Sequence, residues 1–435
     1  MGKYKFGYRY LILGVVQFVI HTPKTGPSTN KKYFVHSSGK PTNNKMNKLS
    51  NWLLAGSFLY SCLGLSAQTS VDTPPDQPEF TGFKLHTINA NATFSSCAVL
   101  DVNHDGQLDV VSGGYWYEGP DWKIHWVRDV EIIRGRPDGY SHLEIDVNND
   151  GWTDLVHANF RSRSLYWLEH PGASLGEWKK QMIAEPGFME TARLYDIDGD
   201  GRLDVLPNGW EFAAWWEFIP GKAGEAPEWI RHEIGDEGGG HGSGFGDVNG
   251  DGRGDFIGTQ GWFEAPKDPR NEKWTWHPEF ELGRTSMPIV VDDIDGDGDN
   301  DLIWAIGHDY GMYWMEQKQE GGARVWEKHV IDESWSQGHS PLWIDLDNNG
   351  IKEFVNGKRY WSHDGKDPGA TDPQVIYRYE FDKESRTFKR HLIQADGPAG
   401  VGLDPKAADL DGDGDLDLVL PGRSGLFWYE NQLNE

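Results

Sequence analysis

The sequence predicts an all-β fold built from seven copies of one small sheet, and three recurring signatures predict it. The first is an acidic loop, D-x-[DN]-x-[DN]-G-x-x-[DE]. It begins at Asp101, Asp146, Asp196, Asp247, Asp293, Asp345 and Asp409, with spacings of 45, 50, 51, 46, 52 and 64 residues. The second is an aromatic run after each loop, usually closing on an acid: Tyr115-Trp-Tyr-Glu118, Tyr166-Trp-Leu-Glu169, Trp215-Trp-Glu217, Trp262-Phe-Glu264, Tyr313-Trp-Met-Glu316, Tyr360-Trp361 and Phe427-Trp-Tyr-Glu430. The third follows it: Trp122-Lys-Ile-His125, Trp178-Lys-Lys-Gln181, Trp229-Ile-Arg-His232, Trp274-Thr-Trp-His277, Trp326-Glu-Lys-His329 and Phe388-Lys-Arg-His391.

Each unit reads as strand, acidic loop, strand, aromatic strand, turn and outer strand. Short apolar runs after the loops, such as Asp109-Val-Val-Ser112, read as buried strands. Four short strands repeated radially form the blade of a β-propeller. The seventh unit reaches Glu435 without the third signature, and Phe83-Lys-Leu-His86-Thr-Ile88 matches it. The expectation is a seven-bladed β-propeller over residues 80–435, with the N-terminal strand completing the last blade and closing the ring. Histidines that recur once per blade, and most of the 21 tryptophans, then belong to the fold.

The acidic loops carry hard oxygen ligands at alternating positions around a glycine turn, which is calcium chemistry. The first loop offers Asp101, Asn103, Asp105 and Asp109, and the second Asp146, Asn148, Asp150 and Asp154. The third offers Asp196, Asp198, Asp200 and Asp204, the fourth Asp247, Asn249, Asp251 and Asp255, and the fifth Asp293, Asp295, Asp297 and Asp301. The sixth has Asp345, Asp347, Asn349 and Glu353, and the seventh Asp409, Asp411, Asp413 and Asp417. Up to seven structural Ca²⁺ ions are expected, the acid at position 9 completing each shell. An EF-hand is excluded, because position 12 holds Ser112, His157 or Pro207 instead of the bidentate Glu that motif needs.

Residues 1–67 hold nine Lys and Arg and no acid, so the formal charge of −27 becomes −36 over residues 68–435. Loop positions 1, 3, 5 and 9 account for 24 acids, so most of that charge is ligand. A nucleic-acid partner, which wants a basic face, is not expected. Met46-Asn-Lys-Leu-Ser-Asn51, the apolar run Trp52–Leu65 and Ser66-Ala67 read as a secretory signal peptide cut after Ala67, with the start at Met46. Residues 68–79 then form a linker. The earlier apolar run, Tyr10–Ile20, is too short to span a bilayer. The mature chain is expected in the periplasm or outside the cell, without a transmembrane segment. Cys97 alone remains after cleavage, so no intrachain disulfide can form.

Function is expected where the repeat is violated. Six residues before each loop stand Ser95, Tyr140, Glu190, His241, Met287, His339 and Leu403. Radial symmetry brings these positions onto one ring at the channel mouth. Position −4 shares their face by strand alternation and adds His142. Tyr140, His142, Glu190, His241 and His339 are the candidate catalytic set, suited to acid–base chemistry or to Zn²⁺ or another divalent metal. The glycines of Gly238–Gly246 are expected to leave room for a ligand. Arg134, Arg136, Lys358, Arg359 and Arg423 are candidates for binding an anionic substrate, and Arg161 and Arg163 lie in a comparable loop.

The loops resemble FG-GAP/VCBS repeats. Three stretches resemble a narrower group: Gly240-His-Gly-Ser-Gly-Phe-Gly-Asp-Val-Asn-Gly-Asp-Gly252, Gly338-His-Ser-Pro-Leu-Trp-Ile-Asp345 with Gly357-Lys-Arg-Tyr360, and Glu185-Pro-Gly-Phe-Met-Glu-Thr-Ala-Arg193. They are similar to the propeller domain of aldos-2-ulose dehydratases and to dehydratases of ulvan oligosaccharides. The resemblance implies a secreted lyase that eliminates water from an acidic, uronate-containing oligosaccharide, with metal in the propeller. In that setting His241 or His339 would be base or metal ligand, Glu190 metal ligand or acid, and Tyr140 or His142 the proton donor. A chain-cleaving polysaccharide lyase and a non-catalytic adhesion propeller are the alternatives.

Overall fold

The computed structural model describes residues 81–434. The expected signal peptide and the linker lie outside the described residues. What is described contains seven four-stranded antiparallel sheets and one two-stranded hairpin, with two short 3-10 turns as the helical content. The seven sheets are the blades of a β-propeller. Blade 1 runs Ala98–Leu100, Asp109–Ser112, Tyr115–Glu118 and Lys123–Trp126, from inner to outer edge. The innermost strands of the others are Leu143–Ile145, Met189–Tyr195, Gly244–Gly246, Val290–Asp292, Leu342–Ile344 and Lys406–Ala408. Blade 7 takes its fourth strand from Phe83–Asn89, which pairs antiparallel with Gly425–Asn431. Among the described residues no helix is long and apolar enough to cross a membrane.

The second and third signatures meet across strands. Trp116 stands opposite His125, Trp215 opposite His232, Trp262 opposite His277 and Trp314 opposite His329. The paired rings stack with centroids 4.1, 4.2, 4.3 and 4.5 Å apart. Each histidine Nε2 also bonds to the acid that ends its aromatic run: Glu118 at 2.7, Glu217 at 2.9, Glu264 at 3.0 and Glu316 at 2.7 Å. Trp428 in blade 7 stacks on His86 at 4.2 Å in the same way. In blade 2 the histidine is replaced by Gln181, which stands opposite Trp167 and donates to Glu169 at 2.9 Å.

Each acidic loop is fixed by its own backbone. In the first, the amides of Asp105 and Gly106 donate to the two oxygens of Asp101. Gly106 has φ +87°, a left-handed turn that a side chain would strain. The acid at position 9 has a role beyond the one the sequence suggests. Asp109 is buried and accepts from the amides of Val102 and Gly119, tying the loop to the end of the third strand. Asp154, Asp255 and Asp417 do the same in their blades.

The glycines of Gly238–Gly246 serve packing and leave little free room. A Cβ on Gly242 would stand 1.7 Å from Thr285 Oγ1, and one on Gly244 2.2 Å from the Ile289 carbonyl. They let the inner strand of blade 4 lie directly against blade 5.

The central channel is closed by ion pairs. Lys406 of blade 7 reaches Glu144 of blade 2 at 3.0 Å, past the intervening blade 1, and Arg193 of blade 3 reaches Asp404 at 3.2 Å. Such contacts cross the channel, so the space above them is a pit.

The Trp215 side chain is fully buried. Trp215→Ala is expected to cost about 3–5 kcal/mol of stability. His232→Gln, which copies the arrangement of Gln181, should cost about 1 kcal/mol or less. Urea unfolding of the two variants reads the difference.

Candidate metal centre

Above the plug lies a cavity of about 380 Å³. Its wall includes Ser95, Tyr140, Glu190, His241 and Leu403, five residues of the −6 ring. His339, a sixth, sits directly behind them, while Met287 is buried beside Thr191 and Ser243.

At one side of the pit four side chains converge. Glu190 comes from the start of the inner strand of blade 3, and His241 and His339 precede the inner strands of blades 4 and 6. The fourth is His308, in the loop between the second and third strands of blade 5. One ligand atom from each lies within 4.8 Å of all the others. His241 Nε2 is 2.7 Å from His308 Nε2 and 3.1 Å from Glu190 Oε2, and His339 Nε2 is 3.5 Å from Glu190 Oε1. Gly307 lets them close in, since a Cβ there would be 3.0 Å from His339 Cδ2 and 3.2 Å from His241 Cε1.

The protons on these rings can be assigned from the outer partners. His241 Nδ1 lies 2.7 Å from the Thr285 carbonyl, which only accepts, so this nitrogen carries hydrogen. His308 Nδ1 lies 2.8 Å from Asp367, whose carboxyl stays ionised with a pKa of about 2: burial alone would raise it, but bonds from His308, His363 and Ser362 hold it down. His308 Nδ1 is therefore the donor. His339 Nδ1 faces Ser340 Oγ at 3.5 Å, and that hydroxyl donates to the Leu403 carbonyl, so it can only accept. Burial first, with neighbouring charges, pushes His308 down to about 3 and His339 to about 4, so both are neutral at neutral pH. Burial alone would raise Glu190, and protons on the facing nitrogens of His339 and His241 would more than reverse it and hold the carboxyl well below its usual range.

Three Nε2 lone pairs and a carboxylate thus face one point. All four are acceptors, and His339 Nε2 has no hydrogen-bond partner. A shared proton would relieve one pair of them. A cation with several coordination positions would satisfy all four. Three imidazoles and one carboxylate suit zinc or another first-row divalent ion and are wrong for calcium, which takes oxygen. Asp367 orients the outer nitrogen of His308, as partners of metal-bound histidines do.

The cavity is otherwise cationic. Arg136, Arg161, Arg284, Arg359 and Arg423 line it, and Glu190 is its only acid. Arg359 approaches Glu190 to 3.7 Å, while Arg136 and Arg423 share Asp364 at 2.7 and 3.3 Å. His363 also lines the cavity, with Nδ1 2.9 Å from Asp367.

Three residues expected at the site lie elsewhere. His142 is fully buried, edge-on to His157 at 4.2 Å, because residues 139–142 are irregular and strand alternation does not apply to them. Lys358 is buried too, with Nζ donating to Ser336 and the Gly369 carbonyl at 3.1 and 2.6 Å. Arg134 is exposed at the turn of the hairpin Ile132–Pro137, off the cavity wall. Conversely His308, Arg284 and His363 were not singled out. The loop between second and third strands that yields Arg161 and Arg423 also yields His308, and scanning it for His as well as Arg would have found it.

In the acidic loops, Asp154, Asp204, Asp255, Asp301 and Asp417 are raised to about 7, by burial first and by neighbouring loop acids. Such crowding of carboxylates in one loop fits a divalent cation. Three loops have an arginine at the acid in position 3: Arg270 contacts Asp198 of the third loop at 2.5 Å and its Asp200 at 2.7 Å, Arg386 contacts Asp295 of the fifth, and Arg378 approaches Asp347 of the sixth at 3.7 Å. These guanidiniums offset an acid at the position where loops 1, 2 and 4 have Asn.

The geometry defines a seven-bladed β-propeller. Residues 146–206 and 293–355 match the FG-GAP-like repeat, and the two segments contain four of the seven loops. No curated protein matches the chain. Similar solved structures include a lectin from Agrocybe aegerita, titled for recognition of non-reducing terminal N-acetylglucosamine. It is 15% identical, with 80% of this chain and 94% of that one covered and a TM-score of 0.44. Another is the exotype rhamnogalacturonan lyase YesX, at 12% identity, 80% and 73% coverage and a TM-score of 0.46.

Asp367→Asn is expected to weaken zinc binding about 10- to 100-fold while leaving the fold intact. Competition against a chromophoric chelator measures it, and an unchanged affinity would exclude Asp367 as the orienting partner of a metal ligand.

Proposed function

We propose that the protein is a secreted, metal-dependent carbohydrate lyase that eliminates water from a uronate-containing oligosaccharide. The observation that carries this reading is the acceptor-only cluster of Glu190, His241, His308 and His339, set beside Arg359 in a cationic pit. A divalent ion held by these four side chains would supply Lewis acidity toward the substrate carboxylate. Arg359 binds the same carboxylate and neutralises it, which makes the proton on the adjacent carbon easier to remove. Among the protic groups outside the ligand set that face the cavity are Tyr140 and His363. One takes the carbon-bound proton and the other delivers a proton to the departing hydroxyl, so one C–H and one C–O bond break, a C=C bond forms and water leaves. The blocked channel favours a substrate that enters from one side, by a chain end. That favours dehydration over cleavage within a long chain.

The test is incubation with uronate oligosaccharides, following absorbance near ~235 nm, where a conjugated unsaturated uronate formed by such elimination absorbs, together with mass spectrometry. Loss of one water without chain shortening is expected, and Tyr140→Phe should lower kcat about 10²- to 10⁴-fold. Chain shortening would identify a polysaccharide lyase instead. Binding with no turnover would identify a carbohydrate-binding propeller.

The acidic loops are read as calcium sites that stabilise the fold. Calcium at about 100 times its Kd should add about 2.7 kcal/mol per site. Thermal unfolding with EGTA and after return of Ca²⁺ measures this, and an unchanged melting temperature would remove calcium from the reading.

A further inference from the structure

Arg161 has no task in the elimination itself. We propose that it forms a second anion subsite, so that the preferred substrate carries two acidic groups on adjacent sugars: one at Arg359 and one, a carboxylate or a sulfate ester, at Arg161. This deepens the dehydratase reading and rests on it.

The first observation is an imbalance of charge. Of the cavity arginines, Arg359 approaches Glu190, and Arg136 and Arg423 share Asp364. Arg161 and Arg284 have no ion pair among the described residues, and of these two Arg161 is the one with a donor, its Nε, shielded from solvent and without a hydrogen-bond partner. A guanidinium stays charged at any working pH, and a shielded donor left unmade is costly. An anion from the substrate would satisfy it with a two-pronged bond.

The second observation is the path from Arg161 to the metal centre. Trp210, 39% exposed, lies on the cavity wall between them. Its ring meets His241 edge-on at 5.9 Å and Phe160 edge-on at 5.3 Å, and the Arg161 guanidinium stands 5.7 Å from the Phe160 ring centre. A sugar reacting at His241 would place its neighbour over this aromatic surface, with that neighbour's substituent toward Arg161. Arg163, two residues along, is exposed over Phe188 and off the cavity wall, which makes it the control.

The experiment uses three disaccharides with the same terminal uronate and a second sugar that is neutral, carboxylated or sulfated. For the wild type, kcat/KM is expected to be about 10- to 100-fold higher for one of the two dianionic disaccharides than for the neutral one, the range of a hydrogen bond to a charged group. The favoured disaccharide tells carboxylate from sulfate. Arg161→Gln should bring the ratio close to one, and Arg163→Gln should keep it. Turnover with no preference, or a preference that survives Arg161→Gln, overturns the subsite and leaves the dehydratase reading standing. If nothing turns over, calorimetric affinities for the same three compounds decide. A preference abolished by Arg161→Gln then keeps the subsite and removes the dehydratase, and equal affinities remove both.

Discussion

One buried carboxylate per blade sets the regularity on which the rest of the molecule depends. Asp109, Asp154, Asp255 and Asp417 each accept two backbone amides, one from the start of the acidic loop and one from the end of the third strand. A carboxylate so held has little freedom and pins the start of the loop to the end of the third strand in these four blades. The aromatic–histidine pairs then fix the outer half of blades 1, 3, 4, 5 and 7 by stacking and a charge-assisted bond. With both halves fixed, residues at equal distances from their loops meet at the channel mouth, whatever they are.

The centre uses this regularity in the opposite sense. Glu190, His241 and His339 occupy equivalent positions in three blades, and His308 enters from a different loop of a fourth. A strictly symmetric ring could not bring a fourth ligand into one cluster on one side of the pit. The departure from symmetry needs Gly307 for close approach and Asp367 to hold the His308 ring. The blades therefore supply rigidity and a few loop residues complete the cluster, an arrangement that suits side chains placed to a fraction of an ångström.

The blade count, the strand order and the convergence of Glu190, His241 and His339 were legible in the sequence because they follow from a period. His308 was not, because it lies beyond the second strand and the period says nothing of where such a loop bends. His142 was misplaced for a related reason: counting by twos holds only inside a strand, and residues 139–142 are irregular, with Gly139 at φ +113°. Lys358 and Arg359 are neighbours in sequence, yet one is locked in the core and the other lines the cavity. Composition cannot separate them. The glycines around His241 looked like room for a ligand and proved to be room for the next blade, since a missing side chain reads alike in either case.

The pairing of Phe83–Asn89 with Gly425–Asn431 carries a consequence for how the chain is made. His86 and Glu430, bonded at 2.6 Å, stand 344 residues apart in sequence. A ribosome finishes the first six blades before the strand that the first segment awaits has been synthesised. Until then Phe83–Asn89 is an unpaired β segment open to wrong neighbours. Contacts this distant also slow folding, because the chain must close its longest loop to make them. Closure of the ring is thus delayed until the whole chain is available.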